Sequence, residues 1–279
     1  MSADKSINKD MADRVHINDG ERLDNIGFGD LRLIQKPEDF CYGIDAVILA
    51  DFAAGGTGRV YKDGAAVCDL GTGTGIIPLI LSHKMPEASQ IFGVEVQKDS
   101  FERAVRNTEI NGLTERLHMV CGDVSDSMID EEIWEMMRRI RGDKTPRFEG
   151  FNIVTANPPY TEGGRGIEGK NPAKVIARQE TTGTLEDFIR TASALLREKG
   201  DFYMVHRPSR LADICCFCRK YRIEPKTLRF VSPKIGEAPN ILLIHGVLGG
   251  GRELKILKPL AVYDENGSYT QEINMIYER

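Results

Sequence analysis

Short apolar segments alternate with helical segments from residue 65 onward, and no other feature of the sequence restricts the fold as strongly. The first unit has a strand pattern at 65–70, a glycine loop at 71–75 and a helical pattern at 76–84. This alternation predicts a doubly wound α/β fold with a mostly parallel sheet and helices on both faces. The last two strand patterns have no helix between them, so one of them is expected to run antiparallel. The later strand patterns lie at 89–96, 117–121, 151–156, 200–206, 226–231 and 240–248.

Composition excludes several classes of protein. Hydrophobic residues make up 41% of the 279 residues and charged residues 28%, as in ordinary globular proteins. No apolar run approaches the ~20 residues of a membrane span, and the polar first 12 residues lack a signal-peptide pattern. The six cysteines lie mostly in apolar segments, so a reduced, cytoplasmic protein is expected. Cys215, Cys216 and Cys218 have no second Cys or His pair to complete a tetrahedral metal site, so we expect an apolar helix face and no metal.

Charge is distributed unevenly along the chain. The net charge is −5, but residues 1–150 hold 18 Lys+Arg and 27 Asp+Glu, whereas residues 151–279 hold 19 and 15. The second part is therefore net positive by 4, which is typical of either a phosphate-binding face or a mixed solvated surface. If it binds RNA phosphates, the candidate contacts are Lys170, Lys174, Arg178 and Arg207.

The glycine loop after the first strand predicts a ligand site. Glycines let the backbone turn tightly, and the helix that follows offers free N–H groups to an anion. The dinucleotide-binding pattern requires Gly or Ala at its sixth position, but the sixth residue from Gly71 is Ile76. Glu95 ends the second strand, where an acid can bind ribose hydroxyls. Asp123 follows the third strand, where a carboxylate can accept an adenine amino proton.

These strand ends together predict a nucleoside ligand with a small charged tail, and S-adenosylmethionine has this composition. The predicted cofactor-binding residues are Asp69, Gly71, Thr72, Gly73, Gly75, Glu95, Val96, Asp123, Val124 and Asn157.

The segment Asn157-Pro158-Pro159-Tyr160 directly follows the fourth strand pattern. The Asn157 side-chain oxygen and the Pro158 carbonyl can each accept one proton of an exocyclic amino group, and the prolines hold both acceptors rigid. Tyr160 can stack on a flipped base. We therefore predict Asn157, Pro158 and Tyr160 as catalytic residues. A Pro-Pro stop after a strand would explain the prolines but not both flanking residues.

Taken together, these motifs resemble the Rossmann-like class I methyltransferases that use S-adenosylmethionine and act on planar nitrogens. The resemblance covers about residues 65–250 and implies a seven-stranded sheet whose last strand is antiparallel. Residues 40–50 and the motif Asn171-Pro172 resemble, in addition, bacterial methyltransferases that modify adenine 37 of a valine tRNA at N6. Gln179 departs from that group, which commonly has His there.

The resemblance implies a tRNA partner but leaves other substrates open. Protein-glutamine N5 methyltransferases and rRNA guanine-N2 methyltransferases carry similar motifs, although the former have a larger helical N-terminal domain than residues 1–64 can form. A non-catalytic RNA-binding protein of the same fold is disfavoured by the intact motif at Asn157.

Two regions flank the predicted methyltransferase domain of residues 65–250. Residues 1–64 predict a short strand and helix extension that caps the cofactor pocket. Asp45 could point into that pocket, but an N-cap of a helix over 46–53 is the favoured interpretation. Residues 251–279 predict a C-terminal hairpin centred on Asn266-Gly267, a dipeptide typical of two-residue hairpin turns.

Overall fold

The computed structural model describes residues 16–39, 41–61, 64–86, 88–141, 149–160 and 183–279. The strands are β1 Arg22–Asn25, β2 Arg32–Gln35, β3 Ala65–Leu70, β4 Ala88–Glu95, β5 Leu117–Cys121, β6 Phe151–Ala156, β7 Leu196–His206, β8 Ile223–Lys234, β9 Ile241–Leu248, β10 Lys255–Ile256 and β11 Leu260–Tyr263. The helices are α1 Ile44–Asp51, α2 Ile76–Lys84, α3 Lys98–Ile110, α4 Ile129–Arg141, α5 Leu185–Leu195, α6 Leu211–Lys220 and α7 Gln271–Ile276. A π-helical turn, Phe52–Gly56, extends α1.

The central sheet has the order β8-β9-β7-β6-β3-β4-β5, and the short strands β10 and β11 pair with β8 at one edge. Strands β3 to β7 are parallel to their neighbours within this group, whereas β9 is antiparallel to both β7 and β8. All seven predicted strands and the antiparallel strand are confirmed. The edge strand β10 is an addition that the sequence patterns did not indicate, whereas β11 overlaps the first arm of the predicted C-terminal hairpin and pairs with β8.

Both faces of the sheet are covered by helices. Along β3, Val67 packs in one buried cluster with residues of α1 and α2, while its neighbour Cys68 packs in a second cluster with residues of α4, α5 and α6. Successive strand residues point to opposite faces, and both faces are covered here, so β3 is expected to be apolar along its length. Five of its six residues are apolar, and Asp69 is the exception. The predicted doubly wound α/β fold is confirmed.

The N-terminal extension docks on α3. The β1-β2 hairpin offers the N–H groups of Arg32 and Ile34 to the side-chain oxygens of Asn111 and Asn107, at 2.9 and 2.6 Å. Helix α1 begins at Ile44 after Gly43, which caps it without a side-chain hydrogen bond. The prediction that Asp45 caps this helix is therefore wrong, because Asp45 lies inside the first turn.

The predicted C-terminal hairpin is confirmed only next to its turn, where Tyr263 and Tyr269 pair in an antiparallel bridge. The Asn266-Gly267 turn does form, with the Asp264 carboxylate accepting from the N–H groups of Asn266 and Ser268 at 2.8 and 3.0 Å. However, β11 pairs in parallel with β8, and the chain after the turn forms α7. Thr270 caps that helix, and Ile273 and Ile276 are buried on the core, so strand pairing across the turn ends at Thr270.

The part of the chain that the structure describes contains neither a membrane-spanning helix nor a metal-ligand cluster. No helix there is long and apolar enough to cross a membrane. No group of three or more His, Cys, Asp or Glu side chains there could hold a metal ion. On α6, Cys218 is buried and Cys216 is exposed.

Candidate active site

The predicted motifs meet at the carboxyl edge of the sheet. Strand β3 lies between β4 and β6, and Leu70 is directly beside Ala156 in the parallel register. The glycine loop that follows Leu70 is therefore adjacent to Asn157. On the other side, Glu95 at the end of β4 is beside Cys121 at the end of β5, two residues before Asp123. Open α/β sheets bind their ligands in the crevice at this edge, where the strand order reverses.

The glycine loop gives the backbone access to that crevice. Gly73 has φ 58°, and a Cβ added there would meet no atom within 4 Å among the described residues. Gly71 has φ 68°, and its missing Cβ would lie 3.0 Å from the Phe188 ring. The loop thus places an open backbone stretch in front of α2, as an anion-bearing ligand requires.

Glu95 is fixed against this loop. It is 7% exposed, and its two carboxylate oxygens accept from the N–H groups of Gly73 and Gln97, both at 2.8 Å. An ionised carboxylate accepts hydrogen bonds at about four lone-pair positions, and hydroxyl groups are suitable donors. The arrangement fits a ribose at the end of β4.

Asp69 provides a second fit to a ligand. It is fully buried, and its Oδ1 accepts from the Thr155 hydroxyl at 2.6 Å. Its Oδ2 and the Thr72 hydroxyl are buried without a well-formed hydrogen bond among the described residues. Burial raises the pKa of Asp69 to about 7, against the opposing effect of the nearby Thr155 and Thr72 hydroxyls. Buried polar atoms next to an open glycine loop fit a ligand that carries a donor, such as the amino group of an amino-acid tail.

Asp123 and Val124 lie where the third strand ends. The Asp123 Oδ1 accepts from the Ser125 N–H at 2.7 Å, which fixes the turn. The Val124 carbonyl accepts from Arg190 at 3.1 Å and from the Thr191 hydroxyl at 2.8 Å, both on α5. Val96 follows Glu95 directly. The predicted cofactor residues are therefore together at one edge, and their contact with a cofactor remains a prediction.

The segment at Asn157 leaves β6 with Pro158 buried and Pro159 exposed. The Tyr160 hydroxyl lies 2.8 Å from Asp45 Oδ2 and 3.2 Å from Asn157 Oδ1. Burial raises the pKa of Tyr160, and the Asp45 carboxylate adds to this effect. The motif is thus held by a side chain from the N-terminal extension.

Comparison with known proteins identifies the family of the chain. The family described as "Methyltransferase domain" matches residues 61–229, more than half of the chain. The chain belongs to this methyltransferase family.

Relatives with curated names are similar to this methyltransferase over much of its length. A protein from Porphyromonas gingivalis named tRNA1(Val) (adenine(37)-N6)-methyltransferase is 28% identical over 60% of the chain and 61% of its own length. Proteins of the same name from Pasteurella multocida and Histophilus somni are 27% and 25% identical, over 84% and 87% of their lengths. The methyltransferase thus spans about three-fifths of the P. gingivalis relative. These matches confirm the resemblance inferred from the motifs.

Solved structures agree on the fold. A predicted O-methyltransferase from Agrobacterium tumefaciens superposes with a TM-score of 0.61 at 22% identity, covering 84% of this chain and 95% of that one. A putative SAM-dependent methyltransferase from Streptococcus mutans gives 0.54 at 13% identity, covering 83% and 56%. They show the fold alone.

Side chains from the end of β7 surround the Tyr160 ring of the methyltransferase. The His206 ring lies 5.2 Å away at 64°, and the Arg207 guanidinium lies 4.8 Å from the ring centroid. Burial, with the charges of Arg210 and Arg207, lowers the pKa of His206 to about 4, so the ring is neutral at pH 7. Its Nδ1 accepts from the Arg207 N–H at 2.8 Å.

Sequence reasoning missed two parts of this site. It considered Asp45 only as a cap or a cofactor contact, and it gave His206 no role. No local pattern in the sequence indicates either contact, because each depends on how distant elements pack against each other. Of the predicted RNA contacts, Arg207 lies over Tyr160, while Lys170, Lys174 and Arg178 lie outside the described residues, as does the glycine-rich loop at 163–169.

Proposed function

We propose that this methyltransferase uses S-adenosylmethionine to methylate the exocyclic N6 of an adenine in tRNA, with adenine 37 of a valine tRNA as the expected site. One observation carries the proposal. The register of Leu70 beside Ala156 places the open glycine loop next to the acceptors of Asn157 and Pro158. The names of the relatives, one aligned over 84% of its length, support tRNA as the substrate. A tRNA substrate implies a cytoplasmic enzyme.

Two adjacent groups of residues have separate roles, one in binding the cofactor and the other in orienting the target amino group. The backbone at Gly71–Gly75 and the carboxylates of Asp69 and Glu95 bind the cofactor, while Asp123 accepts from its adenine. When bound, S-adenosylmethionine supplies a methyl group on a sulfonium centre. Asn157 Oδ1 and the Pro158 carbonyl accept hydrogen bonds from the two N–H groups of the target amino group and so orient its nitrogen. The nitrogen would bond to the methyl carbon as the carbon–sulfur bond breaks and leaves a neutral thioether, and it would release one proton to solvent, so catalysis depends mainly on positioning and electrostatics.

Tyr160 and its neighbours form the place for the target base. A base that stacks on the Tyr160 ring gains roughly 1–3 kcal/mol. The base occupies either the ring face free of Arg207 or the place of the Arg207 guanidinium itself. Neutral His206 at the same ring can contact a base without repelling a cationic cofactor.

Transfer of a labelled methyl group from S-adenosylmethionine to separate pools of tRNA, rRNA and protein tests this proposal. We expect label in tRNA, released on digestion as N6-methyladenosine. Label in protein, recovered on glutamine, would identify a glutamine methyltransferase instead, and label on rRNA guanine would identify a guanine-N2 enzyme. Label in none of the pools, with intact cofactor binding, would favour a binding protein of the same fold.

A further inference from the structure

The Tyr160 hydroxyl stands between two acceptors but has only one proton. Asp45 Oδ2 is 2.8 Å away and Asn157 Oδ1 is 3.2 Å away. A hydrogen bond to a carboxylate is shorter and about twice as strong as one to a neutral amide oxygen. The Tyr160 hydroxyl therefore donates its one hydrogen bond to the Asp45 carboxylate. The hydroxyl then has only lone pairs to offer Asn157.

The geometry points to Asp45 as a positioning residue that keeps the Asn157 side-chain oxygen available to the substrate amino group. This inference rests on the proposed function. Without the carboxylate, the Tyr160 hydroxyl would donate to Asn157 Oδ1, occupy one of its lone pairs and turn the carboxamide toward the ring. The amino group of the substrate would then compete for the same oxygen.

The rest of α1 holds Asp45 for this role. Residues 46–50, which follow it, are at most 2% exposed and fix the helix in the core. Gly43 caps the helix without help from the Asp45 side chain, and a Cβ at Gly43 would come within 2.4 Å of Asp45 Oδ1. The Asp45 carboxylate is thus free of capping and has space that a larger residue at 43 would remove.

Four variants test the inference by single-turnover methyl transfer to tRNA at saturating cofactor. Asp45→Ala should slow transfer at least tenfold. Tyr160→Phe should keep most of the rate, because the ring remains and no hydroxyl competes. The double variant Asp45→Ala/Tyr160→Phe should return to within about threefold of Tyr160→Phe. Asp45→Asn, which keeps a neutral acceptor of the same size, should fall between wild type and Asp45→Ala.

The rescue by Tyr160→Phe separates this role from its alternatives. If Asp45 served only to place the ring or to attract the sulfonium, the double variant would be as slow as Asp45→Ala or slower. That result, or a wild-type rate for Asp45→Ala, would overturn the inference. Should Asp45→Ala fail to fold, Asp45→Asn with and without Tyr160→Phe gives the same comparison.

Two controls complete the design. Asp51 lies on the same helix as Asp45, but its carboxylate accepts from Lys84 at 3.0 Å, away from Tyr160. Asp51→Ala should therefore leave the rate of methyl transfer unchanged. Wild-type protein that binds cofactor but methylates no tRNA would contradict the proposed function and this inference with it. Wild-type transfer without the expected variant pattern would contradict the inference alone.

Discussion

Two backbone N–H groups hold the Glu95 carboxylate in place, so this side chain is organised before any ligand arrives. We expect Glu95→Ala to weaken S-adenosylmethionine binding by roughly 1.5–3 kcal/mol, because a charge-assisted hydrogen-bond acceptor for the ribose is lost. Isothermal titration calorimetry measures this change. Glu102→Ala, on the exposed side of α3 with only a 3.8 Å contact to Lys98, is the matched control and should bind as wild type does. Tight NAD binding without S-adenosylmethionine binding would contradict the cofactor assignment.

Asn157 should affect the chemical step far more than cofactor affinity. Asn157→Ala leaves the glycine loop and Glu95 intact, so cofactor binding should change by less than about 1 kcal/mol. Loss of one preorganised polar contact at a reacting centre typically lowers the rate by roughly 10²–10³. Asn157→Asp keeps an acceptor and should retain partial activity. Single-turnover transfer with saturating cofactor and tRNA measures both, and a wild-type rate for Asn157→Ala would mean that the motif is only a turn.

At the residue scale, local patterns predicted the parts of the site that come from strand ends. The glycine loop, Glu95, Asp123 and Asn157 each follow a strand of the parallel sheet, and such ends meet at one edge whatever the details of packing. Asp45 could not be found in this way. Its partner Tyr160 is 115 positions away, and their contact depends on how α1 packs in the core.

At the scale of elements, the internal strands and helices were predictable because their apolar patterns are long and regular. The two ends of the chain were less so, because their short elements are determined by docking. The sequence 271–276 forms a helix since Ile273 and Ile276 bury against the core, although the preceding Asn-Gly turn is typical of a hairpin. The turn preference is obeyed at Asn266-Gly267, but tertiary contacts favour a helix over a longer second strand after Thr270.

A polar cluster joins two of these strands and the segment that follows α1, and it should contribute strongly to stability. Asp201 on β7 accepts from His245 Nε2 on β9 at 2.7 Å and from Arg59, after α1, at 2.7 Å. Asp201→Ala should lower the free energy of unfolding by about 3 kcal/mol, because it leaves the 4%-exposed His245 without an acceptor. Arg59→Ala should cost no more than about 1 kcal/mol, since Arg59 is 45% exposed.

Urea unfolding of both variants at pH 7 measures these changes. Equal losses for the two variants would mean that the Arg59 contact, and not the buried pair of Asp201 and His245, determines the stability of the cluster. A loss below about 1 kcal/mol for Asp201→Ala would show that water replaces its hydrogen bonds.

At the scale of the whole molecule, the acidic first part and the basic second part share one sheet. Residues 151–279 carry the net positive charge, and they include Tyr160 and Arg207 at the proposed base site. An RNA phosphate backbone that approaches this edge would therefore meet the positive part of the chain, while the negative part disfavours other approaches.

We therefore expect tRNA affinity to fall as salt rises, because each neutralised phosphate releases bound counterions. The logarithm of the binding constant should decrease linearly with the logarithm of salt concentration, with a slope of about −0.7 to −0.9 per phosphate contacted. Filter binding or fluorescence anisotropy between about 50 and 200 mM salt covers the range in which such contacts are visible.

Single substitutions Lys170→Ala, Lys174→Ala and Arg178→Ala should each reduce the magnitude of the slope by about 1 if they contact phosphate. Lys98→Ala, whose 80%-exposed side chain lies in the acidic part, should leave the slope unchanged. A tRNA affinity independent of salt would exclude a phosphate-binding surface, and binding would then depend on the contacts of the flipped base alone.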